Sequence, residues 1–355
     1  MAITALLIGA VMYSCGSDSG LRDYEGFLPA ETLTADSVAI QEIFHPSWGN
    51  IFGDYAVLVN RTGGKVLFRY HLPDWTFVDS SFVQGGGPQD LLYAFMEGSN
   101  CSDNSFWLSE PPRNEMMKYE MDAQGLKKVR SVRMNEKPTV YFGEVFDDEV
   151  VVCTDNDGES GQVHLYAGVL GDTLTWEDSV RCHTKVTVMQ EVRGEMIYTT
   201  TWTYNHPQIK SSGDRLAIWY PNTENLAIYR IRREGMIVFE KMWGNPLTYE
   251  MVEAVDPQQK KAVTYTQSIV GATDKYLYFQ KLTFDKPDSE ATRENPLQLL
   301  SSEIKVYDWS MNPVKKFELD KMIFGQVFVD ESKGKIYMYD RRTDFEQVYI
   351  YDYEL

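Results

Sequence analysis

The sequence predicts an all-β chain folded as a six-bladed β-propeller of four-stranded antiparallel blades, with the ring closed by a strand from the N-terminus. Three observations carry the prediction. A two-strand unit recurs six times at intervals of 44 to 66 residues, helical periodicity is nearly absent, and the strands of the unit are apolar at consecutive positions. Repeats of about 40 to 60 residues built from short strands are what a propeller needs. Strands apolar on both sides suit its interior, because each blade packs against a neighbour on either face.

Each unit opens on a polar residue or glycine, runs through a short apolar strand and a turn, and ends in a second strand that carries a tyrosine. The units start at Asp54, Asn104, Asp148, Asp214, Asp274 and Gly334, and the tyrosines are Tyr70, Tyr119, Tyr166, Tyr229, Tyr307 and Tyr351. The fifth hairpin alone is out of line, with a polar insertion at residues 285–302. Turns such as Asn60-Arg61-Thr62-Gly63-Gly64 and Glu110-Pro111-Pro112-Arg113-Asn114 hold residues that favour turn conformations. An upstream strand repeats as Phe142-Gly143-Glu144-Val145-Phe146 and Phe324-Gly325-Gln326-Val327-Phe328, and a fourth strand follows the hairpin at residues 127–133 and 237–242. The sixth hairpin runs to Leu355, so residues 32–44 are expected to supply its outer strand and close the ring. Closure of that kind removes exposed sheet edges. The chain divides into a signal-like segment (1–15), a polar tether (16–30) and one propeller domain (31–355).

Composition narrows the function. The chain has 355 residues, of which 34 are Lys or Arg and 52 are Asp or Glu, giving a net charge of -18. That sign repels a phosphate backbone, so no nucleic-acid partner is expected.

Residues 2–12 form an apolar run too short to span a bilayer, and it ends in Met12-Tyr13-Ser14-Cys15-Gly16. A small residue before a cysteine, after such a run, resembles the bacterial lipobox, which implies lipidation of Cys15. The expected address is the bacterial outer membrane, facing the periplasm or the cell surface, with contact through the N-terminal lipid only. Of the other cysteines, Cys101, Cys153 and Cys182, at most one pair could form a disulfide, and buried thiols are expected.

The lipobox-like start, the six hairpins and Gly85-Gly86-Gly87-Pro88-Gln89-Asp90, which looks like a G-x-G-P-x-E/D linker between blades, together resemble the TolB-like six-bladed β-propeller lipoproteins of Bacteroidetes. The resemblance covers about residues 30–355. It implies a secreted, membrane-tethered protein and supplies no catalytic residues.

Nucleophilic chemistry finds no support in the five histidines, and no G-x-S-x-G elbow is present. Asp155-Asn156-Asp157-Gly158-Glu159 offers oxygen ligands in one turn but lacks the glycine an EF-hand loop needs. Neither a catalytic residue nor a metal ligand is assigned, and no cofactor is expected. In a four-stranded blade, the loops between strands two and three open on the same face as the connections between blades. That face gathers Arg113, Arg341 and Arg342 with Trp202 and His206 of a long connection at residues 183–212. Arginine beside aromatics is a recognition pattern. The expected function is a binding or scaffolding module for a small molecule, glycan, peptide or protein. The alternative is a calcium-dependent lactonase or esterase with the ion in the propeller channel.

Overall fold

The structure is a computed structural model, and it describes residues 27–43, 46–60, 64–87, 90–99, 104–135, 138, 140, 143–156, 162–184, 186–192, 195–201, 208–209, 214–220, 225–243, 264–286, 291–292, 294–340 and 346–355. Two short strands come first, β1 (Glu31–Leu33) and β2 (Asp36–Ala39). Blade 1 is β3 (Pro46–Phe52), β4 (Tyr55–Asn60), β5 (Lys65–His71) and β6 (Thr76–Val83). Blade 2 is β7 (Phe95–Ser99), β8 (Ser105–Glu110), β9 (Glu115–Asp122) and β10 (Gly125–Arg133). Blade 3 is β11 (Glu144–Phe146), β12 (Val150–Asn156), β13 (Gln162–Leu170) and β14 (Leu174–Thr184). A separate hairpin, β15 (Val186–Val192) with β16 (Glu195–Thr201), precedes blade 4. Blade 4 is β17 (Gln208–Ile209), β18 (Arg215–Tyr220), β19 (Asn225–Ile231) and β20 (Ile237–Trp243). Blade 5 is β21 (Tyr265–Ala272), β22 (Tyr276–Phe284), β23 (Leu299–Asp308) and β24 (Pro313–Leu319). Blade 6 is β25 (Gly325–Asp330), β26 (Lys335–Asp340), β27 (Gln347–Asp352) and the early strand β2.

The ring closes as the repeats require, with one difference in detail. Residues 32–44 do not form one strand. β1 adds to blade 5 as a fifth strand parallel to β24, and β2 pairs antiparallel with β27 to complete blade 6. Asp320 directs the crossing between them: its carboxylate accepts from Ala35 N at 3.1 Å and its own N–H donates to Leu33 O at 3.1 Å. Leu33 and Ile40 then lie in the hydrophobic clusters on either side of blade 6. The six innermost strands, β3, β7, β11, β17, β21 and β25, each approach the next within 8 Å and so encircle the axis, and β7 even bonds to β11 in parallel.

The core is six wedges, one in each seam between blades. β12 shows why the strands are apolar on both faces: Val150 and Val152 face blade 4, while Val151 and Cys153 face blade 2. β22 does the same, with Leu277 and Phe279 turned to blade 4 and Tyr278 to blade 6. Cys153 is a fully buried thiol, whereas Cys15 and Cys101 lie outside the described residues. The recurring tyrosines also have a structural role. In blades 1 to 5 the outer strand carries an irregularity opposite the repeat tyrosine or its neighbour, as between Arg69 and Tyr70 or between Val306 and Tyr307. Bulges of this kind increase local twist, which fans a blade outward.

The polar residues that open the repeats lie in the turns of one face, where Asp54, Asn104 and Asp148 latch blades together. Asn104 Oδ1 accepts from Asp54 N at 3.1 Å, and Asp148 accepts from Trp107 Nε1 at 2.9 Å and pairs with Lys118. Lys333 reaches from blade 6 to Gly53 O at 3.0 Å. Gly53 has φ +55°, and a side chain there would meet Asn104 Oδ1 at 2.2 Å, so glycine alone fits this latch.

Candidate functional site

The opposite face holds the connections between blades and the loops between second and third strands. Here the innermost strands begin, so the residues at and just before their first positions surround the mouth of the channel. Those positions are aromatic in four adjoining blades. Trp48 is near the start of β3, Phe95 starts β7 with Tyr93 two residues earlier, Tyr265 starts β21, and Phe324 immediately precedes β25. Trp48 and Phe95 stack at 5.6 Å with planes 8° apart, and Tyr93 meets Phe95 edge-on at 4.9 Å. Across the arc, Phe284 at the end of β22 meets Phe324 at 6.4 Å. Phe95 is buried, whereas Tyr93 (40%) and Phe324 (42%) expose their rings, flanked by exposed Leu92 and Met322. Lys281 Nζ lies 4.8 Å from the Tyr265 ring, a cation at the wall of the same arc.

Arg113 sits beside this arc and is built into the protein. It ends a 3-10 turn, Pro111–Arg113, that Asn114 closes in the left-handed conformation (φ 53°). Its guanidinium donates to Gly87 O and Asp90 O, each at 2.9 Å, and stands 3.3 Å from the Glu110 carboxylate. Glu110 is fully buried and accepts from Leu92 N, the residue before Tyr93. The glycine-rich linker is closed from within as well: Asp90 Oδ2 accepts from Gly87 N at 2.9 Å, and a Cβ on Gly85 or Gly87 would lie 2.5 or 2.7 Å from that oxygen. One buried carboxylate and one arginine therefore set the path that presents Tyr93. Trp202, His206, Arg341 and Arg342 lie outside the described residues.

Sequence reasoning named Arg113 but missed Trp48, Tyr93, Phe95, Tyr265 and Phe324 as one group. The signal that could have found them was the aromatic residue at or just ahead of most upstream strands, of which Phe142 and Phe324 were the visible pair. Among the described residues, no three His, Cys, Asp or Glu side chains gather in an arrangement that could hold a metal. The oxygen-rich turn after Asn156 lies outside the described residues. His71 pairs with Asp74 at 3.6 Å on the turn face, away from the mouth.

Residues 30–332 match the family described as TolB-like 6-blade propeller-like. The chain belongs to the TolB-like six-bladed propeller family. Solved structures similar to the chain include a DUF4221-family protein from Bacteroides vulgatus, with 10% identity, 90% of this chain and 98% of that chain covered, and a TM-score of 0.45. A putative exported protein from Bacteroides fragilis has 8% identity, coverage of 93% and 98%, and a TM-score of 0.48. The calcium-binding protein regucalcin from Agrobacterium tumefaciens has 8% identity, coverage of 92% and 98%, and a TM-score of 0.46. No curated protein matches the chain.

Proposed function

We propose that this TolB-like propeller is a binding or scaffolding module held outside the cytoplasm by a lipid on Cys15, with the channel mouth as its ligand site. The observation that carries this reading is the aromatic arc, in which Tyr93 and Phe324 present exposed rings while Phe95 and Trp48 brace Tyr93 from behind. Exposed aromatics on a rigid support are anchors for a planar, sugar or apolar group, and they lose little conformational freedom on binding. Lys281 places a cation near the arc of a chain whose net charge is -18, which favours a ligand with an anionic group. A glycan, a peptide carboxylate or an aromatic acid has this combination. The bacterial outer membrane is the address consistent with the lipobox-like sequence.

The test is a screen of the propeller against glycan and peptide panels, followed by titration of any hit against Tyr93→Ala and Phe324→Ala. Loss of one stacking ring should weaken binding by about 1 kcal/mol or more, roughly five- to tenfold, without a comparable loss of stability. Unchanged affinity in both variants would move the site away from the mouth.

A further inference from the structure

Exposed apolar side chains at the mouth fall into two groups with blade 1 between them. The first surrounds Tyr93. Leu91 N donates to Val83 O at 3.1 Å, which sets the end of β6 beside the linker, and Val83, Leu92 and Tyr93 are all exposed. The second surrounds Phe324. Phe284 meets the Phe324 ring, Leu300 is the extra residue of a bulge opposite Phe284, and Met322 lies two residues before Phe324. Leu300, Met322 and Phe324 are all exposed. Grouped apolar side chains at a surface mark interaction sites, whereas single ones are ordinary.

The separation of the groups sets the shape of what can fill both. Blades 6, 1 and 2 are consecutive, and their innermost strands β25, β3 and β7 approach within 8 Å in turn. Phe324 precedes β25 by one residue, and Tyr93 precedes β7 by two. Two steps round a six-membered ring with sides of about 8–10 Å span roughly 14–17 Å, too far for one sugar or aromatic ring to rest on both groups. An extended peptide rises about 3.4 Å per residue, so side chains four residues apart stand about 14 Å apart and on the same face. Chemistry favours a peptide over a glycan as well. Val83, Leu92, Leu300 and Met322 offer little to a hydroxyl, and Arg113 and Glu110 beside Tyr93 are engaged with the linker. Sugar hydroxyls pressed on such a surface lose water without replacement, whereas apolar side chains gain by leaving it. One blade beyond Phe324, Lys281 places its Nζ 4.8 Å from the Tyr265 ring.

Resting on the reading of the mouth as the ligand site, we infer that its ligand is an extended peptide that lays two apolar side chains, four residues apart, on the Tyr93 and Phe324 groups and brings a carboxylate to Lys281. The carboxylate comes from an acidic side chain or the peptide's own C-terminus, two residues beyond the side chain on Phe324. Neither anchor alone has to be strong, because the second engages at the effective concentration that the first confers.

A peptide array attached through the N-terminus and probed with the full chain tests this. Each peptide holds one Phe and one Leu, in either order, at a spacing of one to six, with the other positions randomised. Two residues further on it carries Asp before an amide end, a free C-terminus, or an amide end without Asp. Retention should be greatest at a spacing of four, and both acidic forms should be retained above the form with neither. The best peptides are then titrated by calorimetry against the Tyr93→Ala and Phe324→Ala chains, each of which should bind about five- to tenfold more weakly. Leu92→Glu and Met322→Glu, at exposed positions, repeat the comparison if either ring proves necessary for folding. Retention independent of spacing, or equal for peptides with a single apolar residue, overturns the two-anchor inference; if Tyr93→Ala or Phe324→Ala still weakens it, the mouth remains the site. Failure to retain any peptide, with an oligosaccharide panel bound instead and weakened by the same variants, overturns the peptide and keeps the mouth. Peptide binding unchanged in all four variants overturns both.

Discussion

Arg113 illustrates how one side chain can be both near a site and part of the frame. Its guanidinium bonds two linker carbonyls and faces Glu110, which is fully buried. Arg113→Ala should therefore destabilise the fold by roughly 2–3 kcal/mol, less than for a fully buried pair because the guanidinium is partly solvated. Arg113→Lys should recover little of that, since an ammonium cannot span both carbonyls. Denaturant unfolding of the two variants measures this, and wild-type stability in Arg113→Ala would refute the clamp. Arg130, on the other face, is likewise part of the frame: it bonds Asp148 O and Leu170 O and covers the Trp107 ring. The turn bearing Arg113 was legible from Pro111, Pro112 and Asn114. The clamp was not, because its partners lie 23 and 26 residues away and only the folded ring brings them together.

Asp285 gives a second prediction at this scale. Its carboxylate accepts from Gln298 N at 2.8 Å and from Lys286 at 3.1 Å, bonds that close the insertion of blade 5 and hold its pKa below the usual aspartate value. A depressed folded pKa means that the contribution is present above the unfolded value, about 3.9, and is lost as pH falls through the folded one. Exchange of the Gln298 amide should therefore accelerate, beyond its intrinsic pH dependence, only below about pH 4. Asp285→Asn should remove that pH response, and an unchanged profile in the variant would contradict it.

Among the elements, the N-terminal strands decide whether the ring is closed. β1 and β2 together are seven residues, yet they join the outer edges of two blades. Removal of residues 1–40 should expose both edges and lower the melting temperature far more than removal of residues 1–16. Equal melting temperatures would refute closure by these strands. The need for an N-terminal strand was legible in the sequence, since the sixth hairpin lacked an outer partner. Its division was not, because Asp320 acts across 285 residues. The hairpin of β15 and β16 was missed although its sequence is suited to strands: Val186, Val188, Val192, Ile197 and Tyr198 are all strand formers, and the segment was read only as a long connection.

At the scale of the whole molecule, the interior is distributed among six seams that share strands, so damage in one is felt in two blades. Leu277 is fully buried between blades 4 and 5, and Leu277→Ala should cost about 2–5 kcal/mol. The loss should appear in one cooperative transition followed by fluorescence and by circular dichroism. Two separate transitions would show that the blades fold independently. The ring itself was legible because its repeat and its doubly apolar strands are local properties of the sequence. The mouth was only partly legible, since Trp48, Tyr93, Tyr265 and Phe324 stand far apart in the chain and come to one face only when the innermost strands start at the same level.

That convergence is the central claim, and small-molecule fragments soaked into crystals of the propeller test it whatever the natural ligand is. Fragments bearing an aromatic or sugar ring and a carboxylate should collect at the mouth, against Tyr93 and Phe324 and within reach of Lys281. Fragments that instead collect on the turn face around Asp54 and Asp148, leaving the aromatic arc empty, would contradict the account.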